Sequence, residues 1–289
     1  MSRILRVAVI QMAMGQDANE NIGHAGALVA EAAAAGAQLA LLPELFAHRY
    51  FPALSAKDDP AAAAELRARA REPERCPEVQ AMALLARTHG LILPVSYYEA
   101  EGEHRYNSLI VFGPEGQTLG HYRKSHIPSG EGYEERDYFD PGDSGFCVID
   151  CAHGRIGVGI CWDQWFPEQA RALSLMGAEV LLYPSAIGSE PGRPELDTAG
   201  PWRRVMQGHA VANTLPVAAS NRVGDEQGQR FYGTSFVCDG YGEVMAELDR
   251  EQQGVALVEL DLERWARERH FMGLHRDRRP GLYGQLTKD

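Results

Sequence analysis

The chain has 289 residues, of which 45% are hydrophobic, 24% charged and 8% aromatic, a composition typical of a globular protein. Its 28 Lys and Arg residues are outnumbered by 40 Asp and Glu residues, which gives a formal charge of −12. This balance argues against binding to nucleic acid or to an anionic membrane, because phosphate contacts need clustered basic side chains. No apolar run reaches the roughly 20 residues of a membrane span.

The cysteines form an odd set without a CxxC pair: Cys76, Cys147, Cys151, Cys161 and Cys238. Such a set does not indicate a disulfide framework, so we expect the reducing environment of the cytoplasm. The N-terminus, Met1 to Gln11, is basic and then apolar but lacks a small-residue cleavage site. We therefore interpret it as a strand rather than a signal peptide.

Strands and helices alternate along the first half of the chain. The predicted elements are a strand at Leu5 to Gln11, a helix at Asp17 to Gly36 capped by Asn19, a strand at Gln38 to Leu42, helices at Pro60 to Glu72 and Glu78 to His89, and strands at Leu91 to Tyr98, Asn107 to Phe112 and Thr118 to Tyr122. A polar loop follows, from Ser129 to Gly145. This alternation predicts sheets covered by helices.

The second half of the chain repeats the first. GAQLALLPE at Gly36 to Glu44 resembles GAEVLLYPS at Gly177 to Ser185, and YNSLIVFGPEG at Tyr106 to Gly116 resembles YGTSFVCDGYG at Tyr232 to Gly242. The period is too long for a solenoid. We predict a single α/β domain over residues 1–289, an internally duplicated four-layer α-β-β-α sandwich. The alternative is chance similarity among strand-turn-hairpin units.

The C-terminal segment resembles neither half. HFMGLHRDRRPGLYGQL, from His270, is polar and irregular and has no core of its own. We expect residues 270–289 to form a tail that packs on the domain or on a neighbouring subunit.

The most informative segment is RIGVGICWDQWFPEQARALSLM, Arg155 to Met176. Its alternating glycines predict a strand with one bare face, and Pro167 and Gly177 mark the start and end of a helix. Cys161 thus lies between the carboxyl end of a strand and a helix, where α/β folds place their sites. It is a candidate nucleophile; the alternative is an inert buried thiol.

A nucleophilic cysteine needs a base, and none of the ten histidines is obviously placed to serve. Glu44 ends the apolar strand LALLPE, where a carboxylate is costly unless paired. It is a candidate general base or one member of an ordinary salt bridge. Lys124 in GHYRKSHIP is either an exposed loop lysine or an oxyanion-stabilising ammonium. No HExxH or similar ligand set appears, so we expect no metal.

These residues together resemble a known family. Glu44 in LLPELF, Lys124 in YRKSHIP and Cys161 in GICWDQWFPE resemble the Glu-Lys-Cys triad of the nitrilase superfamily of carbon–nitrogen hydrolases. The resemblance extends from VAVIQM at Val7 to RDRRPGLY at Arg276. It implies a duplicated α-β-β-α sandwich of the nitrilase type, in agreement with the repeat.

Within that superfamily the chain resembles the N-carbamoylputrescine amidases, for example at Tyr122 to Asp143 and Trp202 to Asn213. It departs from them at Glu131, where proline is common, and at Gly240 and Tyr241, where a proline-containing turn is usual. The resemblance implies hydrolysis of N-carbamoylputrescine to putrescine, carbon dioxide and ammonia through S-carbamoyl-cysteine, without metal or organic cofactor.

The resemblance also implies roles for individual residues. Cys161 would be the nucleophile and Glu44 the general base that returns its proton to the leaving group. Lys124 and the backbone N–H of Trp162 would hold the oxyanion. We expect the enzyme to be a homo-oligomer, because the family forms dimers and larger assemblies.

Superfamily members often have a second glutamate in the loop after the lysine. Glu135 in YEERDYF matches best, and Glu131 and Glu134 are its rivals. All three are also consistent with solvated loop charges.

The distant ammonium of a diamine-derived substrate needs a carboxylate or aromatic partner. Glu190 in IGSEP and Tyr133 in EGYEE are the candidates, although an exposed loop position is the alternative for Glu190. A carboxylated substrate such as N-carbamoyl-β-alanine would instead need an arginine clamp, for which Arg222 is available. Further candidate pocket residues at strand ends are Asn107, Ser185 and Asn221.

Two other classes of function deserve comparison. A non-catalytic binding or assembly module has no need for all three triad residues, so the intact set argues against it. A metal hydrolase would lose activity to a chelator, whereas a thiol enzyme would not. We expect a small ureido-amine substrate and no nucleic-acid or membrane partner.

Overall fold

The computed structural model describes residues 2–288. Its strands are β1 (Ile4–Gln11), β2 (Leu39–Leu41), β3 (Leu93–Glu101), β4 (His104–Phe112), β5 (Thr118–Arg123), β6 (Cys147–Cys151), β7 (Gly154–Val158), β8 (Val180–Ser185), β9 (Val217–Asn221), β10 (Val223–Glu226), β11 (Gln229–Tyr232), β12 (Phe236–Cys238), β13 (Val244–Glu247) and β14 (Gly254–Asp261). Its α-helices are α1 (Ala18–Ala34), α2 (Pro60–Arg67), α3 (Pro77–His89), α4 (Pro167–Leu175), α5 (Ala199–Asn213) and α6 (Leu262–Met272).

The strands form two layers of matching topology. In the first layer the order is β14-β1-β2 followed by β3-β4-β5, joined by a parallel bridge between Leu39 and Ile92. In the second the order is β6-β7-β8-β9-β12-β13. Both have a parallel centre, antiparallel hairpins on one side and one antiparallel strand on the other. Strands β1 to β5 therefore correspond to β7, β8, β9, β12 and β13, which confirms the predicted duplication.

Side chains of β1 show how the layers pack. Leu5, Val7 and Val9 belong to the cluster between the two sheets, whereas Ala8 and Ile10 pack beneath α1 and α3. This period of two is what a strand buried on both faces requires. On the other side, α4 and α5 contribute to the same large cluster as the second sheet. The order of layers is helix, sheet, sheet, helix, as predicted.

The carboxyl ends of the central strands meet directly across the two sheets. Val223 N donates to Met12 O at 3.1 Å, and Glu44 N donates to Ser185 O at 3.3 Å. Since Glu44 and Ser185 each follow the strand-Pro pattern that occurs in both halves of the repeat, equivalent positions of the two halves lie against each other. The loops that leave these strand ends therefore share one region of space.

Two helix boundaries differ from the sequence-based prediction. Helix α1 is capped by Asp17, whose carboxylate accepts the N–H groups of Asn19 and Glu20, so the cap at Asn19 is wrong. Helix α2 ends at Arg67 rather than Glu72. The reason is that Arg71 extends to pair with β3, donating from its N–H to Tyr98 O at 3.0 Å.

The C-terminal tail contacts its own subunit. His275 Nε2 lies 3.0 Å from Ser174 Oγ on α4, and the tail continues as two short 3-10 turns, Pro280–Leu282 and Gly284–Thr287. Whether it also crosses to a neighbour stays a prediction. Across residues 2–288, every helix is too short or too polar to span a bilayer.

Candidate active site

Cys161 lies on a strained turn at the end of β7. It begins the 3-10 turn Cys161–Trp165 and has φ = +43°, a conformation that is uncommon for a residue other than glycine. The side chain is buried, and its Sγ lies 3.7 Å from Ala186 O. The first N–H groups of such a turn have no acceptor within the turn. The backbone N–H of Trp162, next to the thiol, is therefore a candidate oxyanion donor.

Asp163 holds this turn in place and was missed by the sequence reasoning. Its buried carboxylate accepts from Ile160 N at 2.9 Å, from Tyr122 Oη at 2.8 Å and from His126 N at 3.1 Å. One side chain thus connects the cysteine turn to the segment around Lys124. A charged residue two positions after a cysteine in an apolar run was the available signal.

Glu44 is fully buried at the end of β2. Its Oε1 accepts a hydrogen bond from Asn107 Nδ2 at 2.6 Å and one from Lys124 Nζ at 2.9 Å. Its Oε2 is also buried but has no hydrogen-bond partner among the described residues. One oxygen is therefore anchored, and the other can take up a proton.

Arg222 secures the backbone at Glu44. Its Nη2 donates to Glu44 O at 2.7 Å and to Leu45 O at 3.1 Å, and its Nη1 lies 2.9 Å from both carboxylate oxygens of Glu226. The guanidinium is completely buried and already neutralised. The expectation that Arg222 is available to clamp a substrate carboxylate is therefore wrong.

Lys124 lies between two carboxylates. Besides its contact with Glu44, its Nζ donates to Glu135 Oε1 at 2.8 Å and to Glu135 Oε2 at 2.7 Å. Of the three loop glutamates, the structure brings only Glu135 to the lysine. Glu131 is exposed, and Glu134 is half-buried and accepts from Ser129 Oγ at 3.2 Å.

Tyr50 is a second contact that the sequence reasoning missed. Its hydroxyl donates to Glu135 Oε1 at 2.6 Å, and its backbone N–H donates to Glu226 Oε2 at 2.7 Å. The ring is buried, and the hydroxyl shares Glu135 Oε1 with the Lys124 ammonium. The signal was weak, because a tyrosine after an apolar strand usually serves as core.

Burial dominates the electrostatics of these groups. It raises the pKa of Glu135 from 4.5 to about 7, with Lys124 opposing the shift. Burial alone would lower the pKa of Lys124, but the charges of Glu135 and Glu44 outweigh it and raise that pKa. Burial also raises the pKa of the Cys161 thiol well above its ordinary value, helped by Glu44 and opposed by Lys124. The resting thiol therefore keeps its proton.

Cys161 opens into a cavity of about 290 Å³. Cys161, Glu135 and Ile187 are buried and mark its inner end, whereas Glu131 and Arg193 are exposed and mark its mouth. The predicted substrate-binding residues also line it: Tyr133, Trp162 and Glu190. The structure thus collects all seven residues singled out from the sequence either in the cavity wall or directly behind it.

Two loops meet at the mouth of this cavity, one from each half of the fold. Tyr133 Oη accepts from Gly188 N at 2.9 Å and donates to Ser189 O at 3.3 Å. A Cβ at Gly132, where φ is +83°, would lie 2.6 Å from Pro191 Cγ, so the approach requires glycine. Tyr133 therefore joins the loops as well as lining the cavity.

The three other candidates at strand ends do not line the cavity. Asn107 orients Glu44, as described above. Ser185 Oγ donates to Gln164 Oε1 at 2.9 Å. Asn221 Nδ2 donates to Ile187 O and Gly233 O, both at 2.9 Å. Their polar groups support the frame around the site.

No group of three or more His, Cys, Asp and Glu side chains is arranged to hold a metal ion within residues 2–288. The five cysteines are all free thiols. The chemistry available to these residues is that of a buried thiol, a buried carboxylate and a buried ammonium.

Known proteins resemble this chain over almost its whole length. An N-carbamoylputrescine amidase from Arabidopsis thaliana is 45% identical over 97% of this chain and 94% of its own. A citrullinase from Francisella tularensis is 42% identical over 98% of both chains. Among solved structures, a carbon–nitrogen hydrolase from Helicobacter pylori is 32% identical, with a TM-score of 0.86 over 99% of both chains.

A solved amidase from Nesterenkonia sp. in complex with acrylamide has a TM-score of 0.74 and 28% identity, over 98% of this chain and 97% of its own. The family described as Carbon-nitrogen hydrolase matches residues 6–269. These similarities confirm the predicted fold of the nitrilase type and the assignment as an enzyme. The chain is a hydrolase that belongs to the carbon–nitrogen hydrolase family, within the nitrilase superfamily.

Proposed function

We propose that the enzyme is a thiol amidohydrolase that converts N-carbamoylputrescine and water to putrescine, carbon dioxide and ammonia. The observation that carries this proposal is the buried Lys124, held at 2.9 Å from Glu44 and at 2.7 Å from Glu135 beside a strained Cys161. Such an arrangement combines a nucleophile, a base and an oxyanion partner.

In the first half of the reaction, the unpaired Oε2 of Glu44 takes the thiol proton as Cys161 Sγ attacks the ureido carbon. Because the pKa of the thiol is raised, proton transfer accompanies attack rather than preceding it. The Lys124 ammonium and the Trp162 N–H stabilise the oxyanion. Glu44 returns the proton to the departing nitrogen, the C–N bond breaks, and ammonia leaves an S-carbamoyl-cysteine that carries the aminobutyl group.

In the second half, Glu44 takes a proton from water, and the resulting hydroxide attacks the carbonyl carbon of the thiocarbamate. The C–S bond breaks, and Cys161 regains its proton from Glu44. The released carbamate decomposes to carbon dioxide and putrescine. Glu135 holds Lys124 in place throughout, because its two oxygens accept bonds from the same ammonium.

The mouth of the cavity favours a cationic tail. Glu131 and Glu190 line it, and neither forms an ion pair within residues 2–288. Partial burial raises the pKa of Glu190. Among residues 2–288 its carboxylate accepts one hydrogen bond, a long one from Thr198 Oγ1 at 3.4 Å. An ammonium beside Glu190 would restore the stability of its charged form. The terminal amine of N-carbamoylputrescine supplies such a group.

Citrulline is a second candidate substrate, because it has the same ureido group on a tail with both an ammonium and a carboxylate. Arg193 also lines the mouth and could meet that carboxylate. In the structure, however, Arg193 is paired with Glu195, so a carboxylate would have to displace this partner. Within residues 2–288, the mouth therefore has two unpaired carboxylates, Glu131 and Glu190, and a single arginine that is already paired. This balance favours N-carbamoylputrescine, whose tail has an ammonium and no carboxylate.

The proposal includes a cytoplasmic homo-oligomer. The free thiols and the large exposed apolar side chains on α6 and the tail, at Phe271, Leu282 and Leu286, support this part of the proposal. Light scattering coupled to size-exclusion chromatography would measure the subunit number.

Ammonia release from the purified enzyme tests the substrate. We expect N-carbamoylputrescine to have a much higher kcat/KM than citrulline or N-carbamoyl-β-alanine, with Cys161→Ser as the blank. A preference for citrulline would make citrulline the substrate and Arg193 the partner of its carboxylate. A preference for N-carbamoyl-β-alanine would contradict the acidic-mouth argument altogether.

A further inference from the structure

A second cavity, of about 580 Å³, lies outside the candidate active site. It is enclosed by the loop after β2, by α2 and the residues that follow it, and by the β10–β11 turn. Its polar lining residues are Gln16, His48, Arg49, Glu65, Arg69 and Gln227. The proposed amidase chemistry uses none of them.

The two arginines of this cavity have no acidic partner. Neither Arg49 nor Arg69 forms a side-chain hydrogen bond or an ion pair within residues 2–288, and Arg49 Nε is buried without a partner. Arg49 is half-buried, whereas Arg69 is exposed and can be hydrated. A buried guanidinium N–H left without a partner is costly.

Charge in the cavity favours an anion. The lining includes two guanidiniums against the single carboxylate of Glu65. His48 lies 4.0 Å from Glu78, but burial lowers the pKa of His48, so its imidazole is available as a neutral donor or acceptor. Two guanidinium forks with side-chain amides nearby suit the oxygens of a phosphate or carboxylate group.

The backbone that carries Arg49 is held rigidly. His48 N donates to Leu45 O at 3.1 Å, His48 O accepts from Arg222 Nη1 at 3.3 Å, and Tyr50 N donates to Glu226 Oε2. With its neighbours fixed in this way, Arg49 presents its side chain to the cavity without ordering the loop first. A preorganised donor loses less entropy when it binds.

We propose that this cavity is a binding site for a small oxyanion, with Arg49 and Arg69 as its principal ligands. The shared chemistry is that of a phosphate or dicarboxylate group. This cavity and the one at Cys161 have no lining residue in common. The site is therefore distinct from the one that takes the ureido compound.

Isothermal titration of the full-length enzyme with inorganic phosphate, and separately with succinate, tests the site at constant ionic strength. We expect saturable binding of at least one of them, weakened at least tenfold by Arg49→Gln and by Arg69→Gln. Arg75→Gln is the matched control, because Arg75 is exposed and pairs with Glu72 at 3.6 Å outside the cavity. It should bind as the wild type does.

Hydrogen–deuterium exchange locates the bound anion. We expect added anion to protect residues 45–54 and 60–69 in the wild type and in Arg75→Gln, and not in Arg49→Gln. Absence of binding by both anions would overturn the proposal. So would binding that neither arginine substitution weakens, or protection confined to the loops around Cys161.

Discussion

Glu44 and Ser185 occupy equivalent places in the two halves of the molecule, yet their surroundings differ. Each follows a proline at the end of the second parallel strand, and the backbones touch at 3.3 Å. The Glu44 carboxylate meets Asn107 and Lys124, whereas the Ser185 hydroxyl bonds to Gln164. The two halves thus share the same backbone arrangement of strands, but their strand ends have different polar side chains.

The same asymmetry holds for the other strand ends. The turn after β7 presents Cys161, whereas β1 continues into Met12, which forms a parallel bridge with Arg222, the residue after β9. The first half thus supplies the proposed base, ammonium and supporting carboxylate, and the second supplies the thiol and much of the cavity wall. A complete site exists only where both halves are assembled.

Removing the nucleophile should have the largest effect. We expect Cys161→Ala and Cys161→Ser to lose at least about 10³-fold in kcat, because no other thiol lies in the cavity. Both variants should fold normally, as far-ultraviolet circular dichroism and thermal unfolding would show. Ammonia release at the wild-type rate from either variant would contradict the thiol mechanism.

Substitutions at the equivalent positions Glu44 and Ser185 should distinguish a catalytic role from a structural one. We expect Glu44→Gln to lower kcat about 10²- to 10⁴-fold, because the amide cannot accept the thiol proton. Ser185→Ala should instead cost about 1 kcal/mol of stability, through loss of one hydrogen bond, and leave kcat nearly unchanged. Steady-state kinetics and urea unfolding of both variants would measure kcat and stability. Similar losses of kcat in the two variants would contradict the different roles of Glu44 and Ser185.

The pH dependence of stability should reveal Glu135. Because its folded-state pKa is raised to about 7, protonated Glu135 stabilises the fold below about pH 4.5, and this contribution is lost as pH rises through about 7. The loss should be about 1–3 kcal/mol relative to Glu135→Gln, which does not titrate. Urea unfolding at several pH values tests this, and parallel pH profiles for the two proteins would count against it.

The smallest predicted effect concerns the mouth of the cavity. We expect Glu190→Gln to raise KM for N-carbamoylputrescine about tenfold, through loss of a charged partner for the ammonium. KM for n-butylurea, which lacks the amine, should stay the same. Glu259→Gln is the control, since Glu259 is exposed and pairs with Arg6, which is not part of the cavity. An equal change for both substrates would exclude recognition of the ammonium by Glu190.

Local and repeated signals made much of this structure predictable. The strand-Pro pairs placed Glu44 and Ser185 at equivalent positions, and the glycine-rich strand placed Cys161 before a helix. The choice of Glu135 over Glu131 and Glu134 depended on the resemblance, because adjacent loop glutamates cannot be told apart by composition or periodicity.

Features that depend on distant partners were not predictable in the same way. The contacts of Asp163 come from residues about 40 positions earlier in the chain, at Tyr122 and His126. Arg222 looked available although its partner Glu226 is only four residues later, because its bonds to the backbone at Glu44 span the two halves. Such contacts are properties of the assembled sheets.

Because β1 pairs with β14 over its entire length, a ribosome must make nearly the whole chain before the first sheet is complete. The second sheet needs no residue beyond β13, so all its strands emerge earlier. Until β14 appears, β1 has a free edge with the apolar sequence ILRVAVIQ, a template for pairing with other chains. A nascent protein released early would therefore be prone to aggregation, and a circular permutant opened between β5 and β6 would make each sheet from one continuous segment.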